Sequence, residues 1–352
     1  MQRTLVKAVS PVGVHIGRER IRVVQVASGT RRTFVSGCGV IPRRSDGPIP
    51  SESDIADLAR AFDRWGLNGR RVSIALPREM LKVDMLDLPP QGSGAPIERL
   101  ASMEMARLHS LEQGSFESRC WSLPHSRRAR ERSSVVAVAC IIDPLNEMLD
   151  QFEICGLDVV RADTESWADV RACGRLDLDS TLVHAIVDLR WSIARLTFVH
   201  DGIVVYERAM PEKGLDRQSR IIASRMGVDI DAARYLLMHP PEESADPVSQ
   251  RIWKSEIKPL VNTHTRMLTD DLRSAFGYAT HQITNTRPGS VVMIGCGSNI
   301  MGFAQHIHQA LDVEVKMVST CDLISADGFD LKSGCADEYI TALGMALVEL
   351  EA

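Results

Sequence analysis

The sequence predicts an α/β fold in which one domain is present twice. Two observations lead to this prediction: a pattern near the start of the chain, Val12 to Arg22 (VGVHIGRERIR), and its repeat about halfway along, Ile186 to Arg195 (IVDLRWSIAR). In each copy a strand runs into a tight turn, a second strand follows, and a third β-rich run ends at Pro42 or Pro211, as in a three-stranded meander. A meander that is repeated and followed by helices predicts two α/β domains with a cleft between them.

The composition is that of a globular protein with room for two or three units. The 352 residues are 44% hydrophobic and 25% charged. A net charge of -5 gives no global attraction to nucleic acid or to an anionic membrane. The eight cysteines include no CxxC pair, which predicts reduced thiols and argues against a zinc site. No apolar run approaches the roughly 20 residues of a membrane span, so we expect no direct membrane insertion.

The first half of the chain predicts a helix on the first sheet and then a small α+β unit. Ser53 is the predicted cap of the first helix, and Gly66 ends it. The predicted elements that follow are a strand at Arg71–Leu76, a strand in MLKVDMLDLP, a helix at Ile97–Leu111, strands at Phe116–Leu123 and Val135–Ile142, and a helix that begins at Pro144. The loop between the last two strands carries four arginines, Arg127, Arg128, Arg130 and Arg132. They form either a docking surface for an acidic partner or lipid or a solvated hairpin tip, and we favour the hairpin tip.

The second half repeats the meander and then becomes helical. The predicted helices span Leu215–Met226, Asp231–Met238 and, as one helix or two, Arg251–Tyr278. A strand is predicted at Val291–Ile294. A closing helix carries Ile340, Leu343, Leu347 and Leu350 on one stripe, and its acidic flanks favour a packed helix over a membrane-bound one.

Three of these stretches resemble the nucleotide-binding motifs of the actin, Hsp70 and sugar kinase superfamily. VGVHIGRERIRVVQV and HAIVDLRWSIARLTFVHDGIVVYERAMPEKG resemble the two phosphate loops, and VVMIGCGSNIMGFAQHIHQAL resembles the adenosine motif. The intervening SIALPREMLKVDMLDLP and VVAVACIIDPLNEMLDQFEICGLDVVRADTE resemble the subdomain that the PilM family has and sugar kinases lack. The chain is therefore similar to the PilM family of type IV pilus assembly proteins over nearly its whole length.

The resemblance implies an actin-like fold, which is a duplicated RNase H-like fold of two domains. A small α+β subdomain is inserted in the first domain and a helical subdomain in the second. The implied divisions are 1–77 and 158–180 for the first core domain, 78–157 for the insertion, 181–214 and 287–352 for the second core domain, and 215–286 for the helical subdomain over the nucleotide.

Each phosphate loop has lost a different half of the D-x-G pattern that this resemblance implies. The family's carboxylates hold Mg²⁺, which requires hard oxygen ligands, and its glycines let the backbone approach phosphates. The first loop here reads His15-Ile16-Gly17, without the carboxylate, and the second reads Asp188-Leu189-Arg190, without the glycine. Losing one preorganised electrostatic group typically costs about 10² to 10³ in rate. We therefore expect a degenerate ATPase rather than an enzyme, with no catalytic residue and no Mg²⁺.

The ligand that the resemblance implies for any retained pocket is ATP or ADP. The positions that match the family's nucleotide-binding motifs or flank them are Gly13, Gly17, Arg18, Asp188, Arg190, Gly214, Gly295, Gly297 and Ser298. Alternatives stay open at several of them. Arg18 and Arg190 either neutralise phosphates without a metal or point to solvent and pair with neighbouring acids. His15 fits a strand-end histidine in a hydrogen bond, and the turn at Gly295 fits an ordinary tight turn with Ser298 as N-cap.

The function that the resemblance implies is a cytoplasmic scaffold of a type IV pilus or related secretion machine, peripheral to the inner membrane through its partners. The implied partners are the N-terminal cytoplasmic peptide of a PilN-like inner-membrane protein, bound in a groove near the insertion, other components of the machine and a second copy of the chain. The net negative charge argues against nucleic acid as a binding partner. The alternatives are an active Mg²⁺-dependent ATPase of this fold and a GspL-like cytoplasmic component of a type II secretion system. A third alternative, a small-molecule kinase of the superfamily, is disfavoured because the chain contains no sugar kinase signature.

Overall fold

The structure is a computed structural model of the chain, and it describes residues 6–30, 32–45, 47, 49–90, 92–124, 133–241, 247–283, 286–300, 302–326 and 336–348. The arginines predicted at a hairpin tip lie outside this set. The chain forms two compact units, which are Met1–Asp177 with Gly202–Tyr206 and Ser319–Ala352, and Leu178–Asp201 with Glu207–Val318.

The strands and helices of both units follow the order that the sequence predicts, with additions at sheet edges. The first part of the chain contains β1 (Val6–Val9), β2 (Val12–Ile16), β3 (Arg20–Gly29), β4 (Thr33–Pro42), α1 (Glu52–Arg64), β5 (Arg71–Leu76), β6 (Leu81–Leu88), α2 (Ile97–His109), β7 (Phe116–Ser122), β8 (Ser133–Ile141), α3 (Ile142–Ile154), β9 (Asp158–Thr164) and α4 (Glu165–Cys173). The remainder contains β10 (Val183–Leu189), β11 (Ala194–His200), β12 (Ile203–Met210), α5 (Leu215–Met226), α6 (Ile230–Met238), α7 (Pro247–Ile252), α8 (Lys258–Gln282), β13 (Pro288–Ile294), α9 (Phe303–Leu311), β14 (Val315–Met317), α10 (Thr320–Leu323) and α11 (Ile340–Leu347).

The first unit is organised around a sheet of order β1-β3-β2-β5-β9, with β4 paired to β3. The meander β2-β3-β4 is antiparallel, whereas β5 pairs parallel with both β2 and β9. Every residue of β2 is buried, because α1 and α3 contribute to the core on one face of the sheet and α11 packs on the other. This double cover explains why the strand is a continuous apolar run with a histidine near its end.

The C-terminal helix packs in the first unit, whereas the sequence-based division placed 287–352 in the second core domain. Helix α11 lies against β2, β3 and α4, and two glycines allow the close approach. A Cβ on Gly13 would lie 2.0 Å from the carbonyl oxygen of Ala342, and one on Gly344 would lie 1.8 Å from that of Ala168. All eight residues of the helix are buried, which confirms the prediction of a packed helix and extends the burial beyond the predicted stripe.

The insertion is a three-stranded sheet of order β6-β8-β7 that belongs to the first unit. Helix α2 covers one face of this sheet, where Met105 and Phe116 are buried in a small core of their own. The opposite face carries the alternate residues of β7 and β8. That face forms part of the groove described below.

A second sheet has the order β12-β11-β10-β13-β14, and all of its strands except β12 lie wholly in the second unit. Strand β10 pairs antiparallel with β11 and parallel with β13, as the meander and the following strand predict. Helices α5 to α9 belong to this unit, and the ring of Phe276 on α8 meets Phe198 of β11 edge to face at 4.9 Å. The predicted helix over Arg251–Tyr278 is α7 and α8, joined by a π-helical turn at Trp253–Ile257.

Two predicted helix starts are displaced. The N-cap of α1 is Ser51 instead of Ser53, because Ser51 and Asp54 form a capping box in which each side chain binds the other residue's backbone. Helix α3 begins at Ile142, two residues before the proline that the sequence suggests as its start.

Candidate functional site

The turn after β10 holds the retained carboxylate in what we call the arginine clamp, formed by Asp188, Arg190 and Arg195. Nε of Arg190 donates to Oδ1 of Asp188 at 3.0 Å, and its Nη2 lies 2.7 Å from Oδ2. Nη2 of Arg195 donates to the same Oδ2 at 2.8 Å. Asp188 is only 2% exposed. Both carboxylate oxygens therefore accept short, charge-assisted hydrogen bonds in a dry environment.

Local geometry explains why these three side chains meet. Asp188 and Arg195 are direct partners in the antiparallel register of β10 and β11, so their side chains lie on the same face of the sheet. Arg190 follows the end of β10, and its amide donates to the carbonyl of Ile193 at 2.9 Å to close the turn. The arginine in place of the family's second-loop glycine thus pairs with the carboxylate two residues before it.

This donor set does not fit Mg²⁺. The ion takes oxygen ligands in near-octahedral geometry, and both oxygens of Asp188 already face guanidinium groups that repel a second cation. The first loop offers a histidine at the position where a carboxylate would be needed. Among the residues that the structure describes, no group of three or more His, Cys, Asp or Glu is placed to hold a metal ion.

His15 of the first loop lies next to a carboxylate from a distant part of the chain. Its Nε2 is 3.1 Å from Oε1 of Glu165, and both side chains are buried. Glu165 is the first residue of α4, whose N-cap is Thr164. The interpretation of His15 as a strand-end histidine in a hydrogen bond is confirmed. The carboxylate of Glu165 therefore already binds the imidazole of His15 and is not a free ligand group.

The turn of the first loop is held by a buried arginine, Arg43, that sequence reasoning missed. Arg43 donates to the carbonyl of Gly17 at 3.1 Å, and its Nε lies 3.6 Å from Oδ2 of Asp54. Burial lowers the pKa of Arg43, although the carboxylate of Asp54 opposes this. Burial alone would raise the pKa of Asp54, but hydrogen bonds from Arg44, Ser45 and Ser51 bring it down to about 2. Arg18, beyond this support, is exposed.

Most of the glycines predicted to face phosphates are in close contact with their own unit. A Cβ on Gly17 would lie 2.9 Å from the carbonyl oxygen of Arg20. A Cβ on Gly214 would lie 2.5 Å from the backbone of the Trp191–Ser192 turn, and one on Gly297 would lie 2.5 Å from the side chain of Leu189. Packing alone therefore accounts for the absence of a side chain at these positions, and at Gly13 as described above.

The predicted adenosine motif is a tight turn followed by a separate helix. Gly295 has φ of 83° and approaches Asp188 so closely that a Cβ would lie 2.7 Å from its Oδ1. The amide of Ser298 donates to the carbonyl of Gly295 within a 3-10 turn, and Ser298 is buried. The interpretation of Ser298 as the N-cap of the following helix is wrong, because α9 begins at Phe303 with Gly302 as its N-cap.

A buried histidine in the second unit was missed by sequence reasoning. His264 of α8 is 8% exposed and packs beside the ring of Phe303, with ring centroids 6.0 Å apart. Burial first, and then the charges of Lys213 and Arg217, lower its pKa to about 4. The imidazole is therefore neutral at physiological pH.

The first unit also contains a groove of about 710 Å³ between the inserted sheet and the core sheet. We call it the β9 groove. Its apolar lining consists mainly of Leu76, Leu81, Trp121, Val138, Leu145 and Trp167. Trp121 of β7 meets Trp167 of α4 edge to face, with ring centroids 5.3 Å apart. The volume lies in the range typical of ligand pockets, which is about 300 to 1,000 Å³.

The sequence profile of the family described as type IV pilus assembly protein PilM matches residues 13–350 of the chain. The chain belongs to the PilM family. The prediction made from its loops and insertion is therefore confirmed. Comparison with curated proteins gives no match.

Solved structures with the same fold confirm the actin-like two-domain architecture. One described as the PilM-PilN type IV pilus biogenesis complex is 18% identical, with a TM-score of 0.75 over 97% of this chain and 99% of that chain. The ethanolamine utilization protein EutJ from Carboxydothermus hydrogenoformans is 13% identical, with a TM-score of 0.53 over 98% and 91%. MreB5 of Spiroplasma citri bound to ADP is 11% identical, with a TM-score of 0.52 over 98% and 97%. Within the described part of this PilM-family chain, no helix is long and apolar enough to cross a bilayer.

Proposed function

We propose that this PilM-family protein is a cytoplasmic scaffold that ties a type IV pilus, or a related secretion machine, to the inner membrane. In this proposal it binds the N-terminal cytoplasmic peptide of a PilN-like inner-membrane protein in the β9 groove. It also associates with other components of the machine at the membrane. The observation that carries the proposal is the groove itself, which has an apolar lining and lies beside the insertion that distinguishes the family. The fold shared with the PilM-PilN complex supports the choice of partner.

The charges of the groove favour an apolar segment over a strongly charged one. Asp163 lies 2.8 Å from Nη2 of Arg171, and Glu117 lies 3.7 Å from Nη1 of Arg119. These pairs compensate four of the five charged side chains in the lining, and Arg161 is the fifth. Apolar side chains of a bound peptide would gain about 25 cal/mol for each Å² that they bury against the tryptophans and aliphatic residues.

The test is a calorimetric titration with a synthetic peptide of the first residues of the PilN-like protein encoded in the same genome. We expect 1:1 binding that weakens at least about tenfold in Trp121→Ala, because buried aromatic anchors dominate such interfaces. Tyr235→Ala is the matched control, since Tyr235 is an exposed aromatic residue of the second unit. Equal binding by both variants and the wild type would rule out the groove as the docking site, and no binding at all would rule out this partner.

We also propose that the nucleotide site is degenerate and that any ATP or ADP binds without Mg²⁺. The arginine clamp supports this, because the carboxylate that an active ATPase would use for Mg²⁺ is bound by two guanidiniums. An active Mg²⁺-dependent ATPase remains the competing function, and it makes the opposite predictions. Titration of nucleotide-stripped protein with ATP in Mg²⁺ and in EDTA separates the two. Binding that needs Mg²⁺, with turnover lost in Asp188→Ala, would establish the ATPase.

A further inference from the structure

A positively charged pocket lies on the surface of the second unit, where α7 leads into the π-helical turn. We call it the α7 pocket. It has a volume of about 450 Å³ and is lined by Pro247, Gln250, Arg251, Lys254 and Ser255. Arg251 and Lys254 are exposed, and neither forms an ion pair within the residues that the structure describes. The pocket therefore offers two cations to a negatively charged group.

The helix that carries this pocket has no partner along its own length. No residue of α7 is buried, although most helices in proteins are stabilised by packing of an apolar face. Val248 and Ile252 are one turn apart on α7, next to the cations, and they are 55% and 38% exposed. The α7 pocket therefore suits a partner that combines carboxylates with an aliphatic side chain.

Helix α3 of the first unit presents this combination, on a surface that we call the α3 face. Its members are Asp143, Glu147, Asp150, Glu153 and Ile154. The four carboxylates are exposed, and none of them forms an ion pair within the described part of the chain. Glu147, Asp150 and Ile154 are spaced by three and four residues, so they lie on one side of the helix. Ile154 is 72% exposed.

Local stability does not account for the acids of the α3 face. Neighbouring carboxylates at spacings of three and four residues, such as Glu147 and Asp150, repel each other on a helix. Glu153 is in the last turn, where the helix dipole is negative and where α3 has no basic residue. A cationic surface placed against α3 would relieve both effects. Departures from local rules of this kind are expected where a residue serves function.

We propose that the α3 face of one copy of the chain docks on the α7 pocket of a second copy. Glu147 and Asp150 pair with Arg251 and Lys254, and Ile154 packs beside them. The choice of occupant follows from charge complementarity, because the chain carries both an unpaired acidic face and an unpaired basic pocket, each exposed within one copy. The two surfaces differ, so the contact is head-to-tail and continues until a ring closes or a filament forms. It does not involve the β9 groove.

The experiment is sedimentation velocity of the full chain at several concentrations, in low salt and in about 1 M salt, where the screening length falls to about 3 Å. We expect reversible association in low salt that high salt weakens. Lys254→Glu and Asp150→Lys should each weaken it about tenfold or more, because like charges then face each other across the contact. Arg266→Glu and Glu98→Lys are the matched controls, since they change exposed residues elsewhere and alter the net charge equally.

A mixture of the two charge-reversed variants tests whether these surfaces meet each other. Each introduced charge finds its opposite on the other variant, so we expect the mixture of Lys254→Glu and Asp150→Lys to associate nearly as well as the wild type. Circular dichroism confirms that both variants are folded. A wild-type chain that stays monomeric in every buffer would overturn the proposal. Controls that weaken association as much as the reversals, or a mixture that does not associate, would overturn it as well.

Discussion

Replacing Asp188 with asparagine tests whether this carboxylate is a structural member of the arginine clamp or a vacant metal ligand. The amide keeps the size of the side chain but removes the charge that both guanidiniums share. Arg195 is 2% exposed and cannot move into water, whereas the side chain of Arg190 is partly accessible. Breaking a buried ion pair by removing one partner typically costs 3 to 5 kcal/mol, and we expect about 3 kcal/mol for Asp188→Asn.

The assay is equilibrium unfolding in urea, followed through the fluorescence of the second unit. Trp191 lies in the turn beside the clamp and reports on this unit together with Trp253. Asp201→Asn is the matched control, because Asp201 is an exposed carboxylate at the next turn of the same sheet, with φ of 51° that asparagine tolerates. We expect that control to change stability by less than about 0.5 kcal/mol. An Asp188→Asn protein as stable as the wild type, or more stable, would contradict the clamp and favour a carboxylate reserved for function.

Three further predictions concern buried groups in the two units. The pKa of His264 is lowered to about 4, so between pH 6.5 and 4 the unfolded chain binds a proton that the folded chain does not. The free energy of unfolding should therefore fall by up to roughly 3 kcal/mol as the pH drops through this window, and urea titrations should show that His264→Leu loses this dependence. Asp54 has a pKa of about 2, so its contribution is complete above the ordinary value of 3.8 and is lost as the pH falls towards 2. Asp54→Asn should remove about 2 kcal/mol of pH-dependent stability in that lower window only, as measured by unfolding between pH 2 and 5. Gly13→Ala should destabilise the first unit by more than about 3 kcal/mol, because the added Cβ would lie 2.0 Å from the carbonyl oxygen of Ala342. The control is Gly277→Ala in α8, where the added Cβ meets open space, and thermal unfolding should show unchanged or raised stability.

Local patterns in the sequence predict most of the strands and helices. The meanders were predictable because turn residues separate runs of β-branched and apolar residues, and the helix Leu215–Met226 ends at a glycine with φ of 67°. The displaced cap of α1 depended on which of two nearby serines pairs with Asp54, and both positions suit a cap. Strand β14 was not predicted, because a three-residue edge strand leaves too short a pattern.

The candidate site was predictable only where its residues are close in the chain. Arg195 could have been identified, because closing the hairpin after Asp188 places that arginine directly opposite in the register. The pairing of His15 with Glu165 joins residues 150 positions apart and needs the packed sheet to bring them together. The place of α11 in the first unit likewise depends on the close contact at Gly13, since the order of motifs along the chain suggested the second domain. The place of β9 at the end of its sheet, beside the groove, became visible only once the order of strands was known.

Docking of a membrane partner, and not Mg²⁺-dependent hydrolysis, is the function that we propose for this protein. The most direct measurement is the calorimetric titration of the nucleotide-stripped protein with the PilN-like N-terminal peptide in EDTA. We expect 1:1 binding with the same affinity as in Mg²⁺ and ATP. Binding that appears only when Mg²⁺ and ATP are added would contradict it, because the peptide site would then depend on the metal-bound nucleotide that the arginine clamp should exclude.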